Sequence, residues 1–156
     1  MSKFYLMHGV AGSCKSTFIN NLKKIYKNIE VVSKDDFRIV NGKYVFDLET
    51  EYFVEYQFFK ALETASGVVF VDNTHLNERF KNKVMDFIRR THHFSEIKII
   101  SIIPGAPEEH AKNNCHGLTL DEVKRQIETY KTPDDAIVYT LEQMRSWKTA
   151  EEFKIE

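Results

Sequence analysis

Nine residues, Gly9-Val10-Ala11-Gly12-Ser13-Cys14-Lys15-Ser16-Thr17, constrain this chain more than any other stretch. The short apolar run Lys3 to His8 precedes them. An amphipathic run follows, with Phe18, Leu22 and Ile25 at helical spacing and Asn20, Lys23, Lys24 and Lys27 elsewhere on the wheel. A strand that turns through a tight glycine loop into a helix aims backbone N–H groups at an anion, beside a helix-dipole charge of roughly half a unit. A lysine in that position reaches β- and γ-phosphates, and the next hydroxyl reaches Mg²⁺. Gly9, Gly12, Ser13, Cys14, Lys15, Ser16 and Thr17 are therefore the expected cradle for the phosphates of ATP. An ordinary glycine-rich turn explains neither Lys15-Ser16-Thr17 nor the position between two periodic segments. Cys14 departs from the pattern, standing where the motif has its second glycine, and its Cβ is expected to crowd the phosphates.

Downstream, strand and helix signals alternate. Ile29 to Ser33 reads as a second strand delivering Lys34-Asp35-Asp36-Phe37-Arg38 at its C-terminal end, where open α/β sheets bind ligands. Asn41-Gly42, between Ile39-Val40 and Tyr44-Val45-Phe46, predicts a two-residue hairpin. Asp47 to Ala65 reads as a long helix with Leu48, Tyr52, Tyr56 and Phe59 inward, a stripe assigned to the core rather than to base stacking. Val68 to Asp72 and Ile97 to Ile103 read as strands, with a helix between them carrying Phe80, Val84, Phe87 and Ile88. Pro107 to His116 predicts a short helix stopped by Gly117, which would set Lys112 and His116 on one face. Thr119 to Glu122 is a capping box, and Ala136 to Leu141 a last strand. Residues beyond it, with Trp147 and several charges, carry no clear period. The expected fold is α/β, a three-layer sandwich with a central parallel sheet of 4–5 strands, helices on both faces and a helical lid. One domain over residues 1–156, with the lid at about 106–118, follows from a length common for one domain.

Composition narrows the function classes. The 22 Lys and Arg balance 23 Asp and Glu, so no basic excess announces a long nucleic-acid groove, and any such partner is gripped locally. Two cysteines, one inside the phosphate loop, suit a reducing compartment rather than a disulfide framework. No stretch approaches the roughly 20 apolar residues of a membrane span, and Met1 to His8 lacks a signal-peptide layout, so a cytoplasmic protein with no membrane partner is expected.

Transfer of a phosphoryl group needs positioning and charge stabilisation, with a carboxylate to accept the proton of an attacking hydroxyl. Asp35 and Asp36 are the candidates, and one of them is expected to cap the turn after the second strand instead. Arg38 is either a bidentate ligand for an acceptor phosphate or a solvated arginine. Asp72 ends an apolar strand, as a Mg²⁺-holding acid would. Asn73 and Thr74 either orient the acceptor or cap the following helix. Lys112 and His116 either close over the phosphates as part of the lid or form a solvated helix surface.

With those positions in view, the chain resembles the P-loop kinases that include the kinase domain of phage polynucleotide kinase and its zeta-toxin-like relatives. Residues 9–17 are similar to that family's GxPGSGKST loop, and Ser33-Lys34-Asp35-Asp36-Phe37-Arg38 is similar to its N-R-D-D-Y-R segment. Asp72-Asn73-Thr74-His75-Leu76-Asn77 resembles its D-T-N-L-N or D-N-T-N-L segment, and Lys112-Asn113-Asn114-Cys115-His116-Gly117 its R-R-N-x-H-G lid. The resemblance implies ATP and Mg²⁺, Asp35 rather than Asp36 as general base, and Arg38 on the acceptor's phosphate. It implies transfer to a hydroxyl, foremost the 5′-hydroxyl of a nucleic acid. The alternatives are a nucleotide, nucleoside or other small-molecule acceptor, or a nucleotide-binding regulator with little turnover. Lys112 and Asn113 replace the usual lid arginines, which predicts a weaker phosphate clamp, since lysine offers a point charge and not a planar fork.

Overall fold

The structure is a computed structural model that describes residues 2–155. In chain order, β1 (Lys3–His8) passes through the glycine loop to α1 (Lys15–Ile25), and β2 (Ile29–Val32) ends in a 3-10 turn over Lys34–Phe37. The hairpin strands β3 (Ile39–Val40) and β4 (Lys43–Tyr44) precede α2 (Glu51–Thr64). Then come β5 (Val68–Val71), α3 (Glu78–Thr91), β6 (Glu96–Ile103), α4 (Pro107–Asn113), α5 (Leu120–Thr129), β7 (Ile137–Thr140), α6 (Leu141–Arg145) and α7 (Trp147–Glu152). Runs such as Val68-Val69-Phe70-Val71 lack alternation because both faces are covered. They form a five-stranded sheet in the order β2-β5-β1-β6-β7, parallel throughout.

The two faces of β1 sort the core. Phe4 and Leu6 pack with Val69 and Val71 under Phe58 and Leu62 of α2 and Val84, Met85 and Ile88 of α3. Tyr5 and Met7 face the other way, onto Phe18, Ile19 and Leu22 of α1 and onto Met144, Ala150 and Phe153 at the C-terminal end. Each fully buried Phe or Leu contributes about 1.5–3 kcal/mol, so the helices are held by packing and not by propensity. Register then fixes the site: Leu6 pairs with Val71, and Val32 also pairs with Val71. Residues leaving β1, β2 and β5 consequently emerge side by side at one edge, among them Gly9, Ser33 and Asp72.

Two expectations need correction. α2 starts at Glu51, and its inward stripe is Val54, Phe58 and Leu62, while Leu48, Tyr52 and Tyr56 are exposed and Phe59 is half-buried. Apolar residues run round this segment, so two stripes share the same i, i+4 spacing and periodicity cannot choose between them. α4 ends at Asn113, so Lys112 and His116 share no helical face. The Asn114 side chain accepts from the amides of His116 (3.2 Å) and Leu118 (3.0 Å), holding the chain in a turn where the helix would have continued. The C-terminal stretch forms α6 and α7, too short to show a period, yet it closes the core over α1. The hairpin turn is as expected, with Asn41 and Gly42 both at positive φ, and so is the capping box of Thr119 and Glu122. Among the described residues no helix is long and apolar enough to cross a membrane.

Candidate active site

The glycine loop wraps the start of α1, whose Phe18 amide is the first to bond back, to the Cys14 carbonyl at 3.1 Å. The first amides of α1, from Lys15 to Thr17, have no intrahelical partner, a geometry that suits an anion. Lys15 is buried, its Nζ donating to the carbonyls of Gly9 and Val10 at 3.1 Å each. A lysine has three donors, so one is left for a phosphate oxygen. Burial pulls the Lys15 pKa down, with Asp72 and Asp35 opposing. A cation held at that cost is worth far more to an incoming polyanion than an exposed lysine would be.

Gly12 is at φ +75°, and a Cβ there would lie 2.1 Å from the carbonyl oxygen of His110 in α4. α4 therefore packs on the loop itself. His110 is fully buried, donating from Nδ1 to the Gly12 carbonyl (3.1 Å) and accepting at Nε2 from the Gly105 amide (2.8 Å). Burial lowers its pKa, which suits the neutral ring those two bonds require. No sequence pattern marked His110, because its partner is 98 residues away. Gln126 of α5 was missed for the same reason; its Oε1 accepts from the Ala11 amide at 2.8 Å.

Cys14 is at φ +60°, the left-handed region that glycine enters freely. Its Cβ costs about 1–2 kcal/mol there, of which glycine's greater backbone entropy would take back about 0.5–1 kcal/mol. Cys14→Gly is therefore expected to stabilise the protein by about 0.5–1 kcal/mol and to tighten nucleotide binding. Thermal unfolding and a nucleotide titration check this, and a lower melting point would contradict it.

Across the loop, Ser16 Oγ donates to Asp72 Oδ2 at 2.8 Å. Among the described residues no group of three or more His, Cys, Asp or Glu is arranged to hold a metal ion. Mg²⁺ does not need one: it keeps several waters and takes one or two protein oxygens besides those of phosphates, which a hydroxyl beside a carboxylate fits.

Asp35 rides the 3-10 turn after β2. Ser33 caps that turn, its Oγ accepting from the Asp35 amide at 3.2 Å, so the cap expected of one aspartate belongs to a serine and Asp36 is exposed. Asn73 does not cap α3, a task taken by Asn77; its Oδ1 accepts from the Lys34 amide (2.9 Å). Thr74 offers its carbonyl to the Gly9 amide (3.0 Å), and so ties the two strand ends together. Behind Asn73 stands His75, buried at φ +52°, with Nδ1 donating to the Met7 carbonyl at 2.6 Å and Nε2 accepting from Asn73 Nδ2 at 3.3 Å. His75 thus locks the side chain that locks the Asp35 turn.

Burial, then the positive charges of His8, Lys15 and Lys34, lower His75 to about 3, the Met7 hydrogen bond opposing. Burial, then Lys81 and Lys15, lower His8 to about 4. Both titrate near 6.5 once unfolded, so the unfolded chain binds more protons as pH falls. Stability is whole above about pH 6.5 and declines from there towards pH 4, by roughly 3 kcal/mol from His75 alone. Urea unfolding against pH should show this slope, flattened in His75→Asn; equal slopes in both proteins would refute the assignment.

Asp35 holds two partners. Arg38 Nη1 donates to Oδ1 at 2.7 Å, and His116 Nε2 donates to Oδ2 at 3.0 Å while its ring stacks on Tyr44 (4.4 Å, 26°). Arg38 also pairs with Glu51, which holds Lys34 at 2.9 Å. Burial would lower the Arg38 pKa, but the hydrogen bonds to Glu51 and Asp35 outweigh it and raise it. Lys112 is exposed and does not line either cleft, whereas His116 lines both. One cleft runs along Gly12 to Thr17 with Asp72; the other, of about 760 Å³, is lined by Arg38, Tyr44, Phe46 and Glu122. Asp35, Asn73, Thr74 and His116 belong to both, marking where the clefts meet.

A parallel sheet of this strand order, flanked by helices and with a glycine loop leading from its central strand into a helix, is the fold of P-loop kinases. Solved structures with this fold include a gluconokinase from Sinorhizobium meliloti (TM-score 0.63, 13% identity, covering 95% of this chain and 89% of that one). A shikimate kinase from Acinetobacter baumannii in complex with shikimate has a TM-score of 0.54 at 11% identity, covering 97% of this chain and 90% of that one. A Pnkp1/Rnl/Hen1 complex is similar to 73% of this chain at 23% identity and TM-score 0.56, over 39% of its own chain. No protein-family model matches. Among curated proteins the chain is 26% identical over 135 residues, 81% of its length, to NEDD4-binding protein 2 of Homo sapiens, and spans 7% of that protein.

Proposed function

We propose that this protein is an ATP- and Mg²⁺-dependent phosphotransferase whose acceptor is a hydroxyl, foremost the 5′-hydroxyl of a polynucleotide. The observation that carries the reading is the meeting of the two clefts at Asp35: a phosphate cradle on one side, a roomy pocket on the other and a carboxylate between them. ATP with Mg²⁺ would supply the phosphoryl group and offset its charge. Lys15 and the loop amides orient the donor phosphates, and Ser16 and Asp72 hold the ion's protein side. Asp35 Oδ2, the oxygen His116 now holds, takes the acceptor's proton once the lid residue withdraws, while Arg38 keeps Oδ1 and so the carboxylate's orientation. The positions of Asn73 and Thr74 at the junction suit a role in setting the acceptor's approach.

A second reading, a small neutral acceptor, is favoured by one feature: Arg38 is already neutralised by Glu51 and Asp35, which weakens its pull on an acceptor phosphate. Transfer from γ-labelled ATP to a panel of 5′-hydroxyl DNA and RNA oligonucleotides, nucleosides, nucleotides and sugars separates the two. Label confined to oligonucleotides supports the first, label confined to small molecules supports the second, and tight ATP binding with no transfer indicates a regulatory protein.

A further inference from the structure

We propose that Gln126 binds the phosphoryl acceptor, its side-chain N–H groups donating to an oxygen that neighbours the reacting hydroxyl, so that the acceptor is a sugar. This rests on the phosphotransferase reading and adds which part of the acceptor is recognised, whether a polynucleotide's terminal ribose or a free sugar carries it. The Ala11 amide donates to the Gln126 side chain at 2.8 Å, and a backbone N–H is met only by an accepting atom, so Oε1 is the end that faces the loop. Nε2 is then the free end. It has no hydrogen-bond partner among the described residues and is not buried, and the residue lines the larger cleft. Its two hydrogens are therefore open to a molecule in that cleft.

Ala11 lines both clefts, as Asp35 does, so the carboxamide it holds stands where donor and acceptor would meet and not at the far end of the pocket. The cations around the larger cleft are already engaged: Lys34 by Glu51, and Arg38 by Glu51 and Asp35. Asn73 Nδ2 is bonded to His75, and His116 Nε2 to Asp35. Gln126 keeps its donors. The reacting oxygen needs a lone pair for phosphorus and gives its proton to Asp35, so a donor aimed at that oxygen would oppose the attack. Gln126 serves the next oxygen along instead. A sugar places a ring or hydroxyl oxygen on the carbon beside the one that bears the reacting hydroxyl. A neutral carboxamide suits such an oxygen, which needs orienting and carries no charge to neutralise.

The test is transfer kinetics at saturating Mg·ATP on the wild type, Gln126→Glu and Gln126→Met, with 5′-hydroxyl oligonucleotides and free sugars in separate arms. Each acceptor is paired with an analogue that lacks the neighbouring oxygen. Glutamate keeps an oxygen for the Ala11 amide and removes the donors, whereas methionine removes both. Both variants should lose about tenfold in kcat/KM for the acceptor that takes label. The wild type should lose a similar factor on the analogue, and the variants nothing further. A wild type indifferent to the missing oxygen overturns the proposal. So does a Gln126→Glu protein with wild-type kcat/KM, since the residue is then only a tether between α5 and the loop. Failure of the underlying reading looks different: no acceptor takes label from the wild type, and the role of Gln126 falls with it. Transfer that proceeds equally in all three proteins refutes the role of Gln126 alone.

Discussion

Lys15→Ala should lower phosphoryl transfer by about 10³-fold or more while the protein stays folded. On the proposed function the loss is large because this ammonium is buried where field lines are not screened by water, and the donor phosphates would be its counter-charge. Its two bonds to the Gly9 and Val10 carbonyls hold the loop closed round that point. The same burial predicts that stability does not fall with activity. A cation whose pKa burial has lowered is costly to the folded state, so its removal should leave the melting temperature unchanged or raised. Transfer kinetics and thermal unfolding on the purified variant give both numbers. Wild-type turnover in Lys15→Ala would remove the loop from the catalytic site.

The second large effect is Asp35→Asn, expected to reduce turnover by about 10²-fold with little change in ATP affinity. Asparagine keeps an oxygen for the Arg38 guanidinium, so the arginine stays placed and only the proton-accepting capacity is lost. Asp36→Asn is the control. Its side chain is exposed and Ser33 caps the turn, so both turnover and stability should stay near wild type. If the catalytic loss fell on Asp36→Asn instead, the two aspartates would exchange roles; near-normal turnover in both would remove this pair from proton transfer. A melting-point drop in Asp35→Asn as large as the activity loss would recast the residue as an anchor for the Arg38 and His116 contacts.

The strand, loop and first helix were legible because their determinants are contiguous. Glycines, a lysine and a hydroxyl in nine consecutive residues state the backbone path from strand through loop to helix. The Asn41-Gly42 turn and the Thr119 capping box were legible for the same reason, each being closed by residues within a few positions of one another. The face of α2 was not legible, because Val54-Phe58-Leu62 and Leu48-Tyr52-Tyr56 have the same period, and only β2, β5 and α3 packed against one of them decide which is inside. Nor was the direction of His116, which depends on Asn114 ending α4 early and so turning the imidazole to Asp35. The clamp of His110 on Gly12, the reach of Gln126 to Ala11 and the support of Asn73 by His75 all join groups far apart in sequence, or hang on a strand register that no local pattern encodes. Short-range backbone chemistry thus determined the path of the loop and its turns. Long-range packing decided which side chains face it, since a contact's partner is set by how the sheet orders its strands and not by neighbours along the chain.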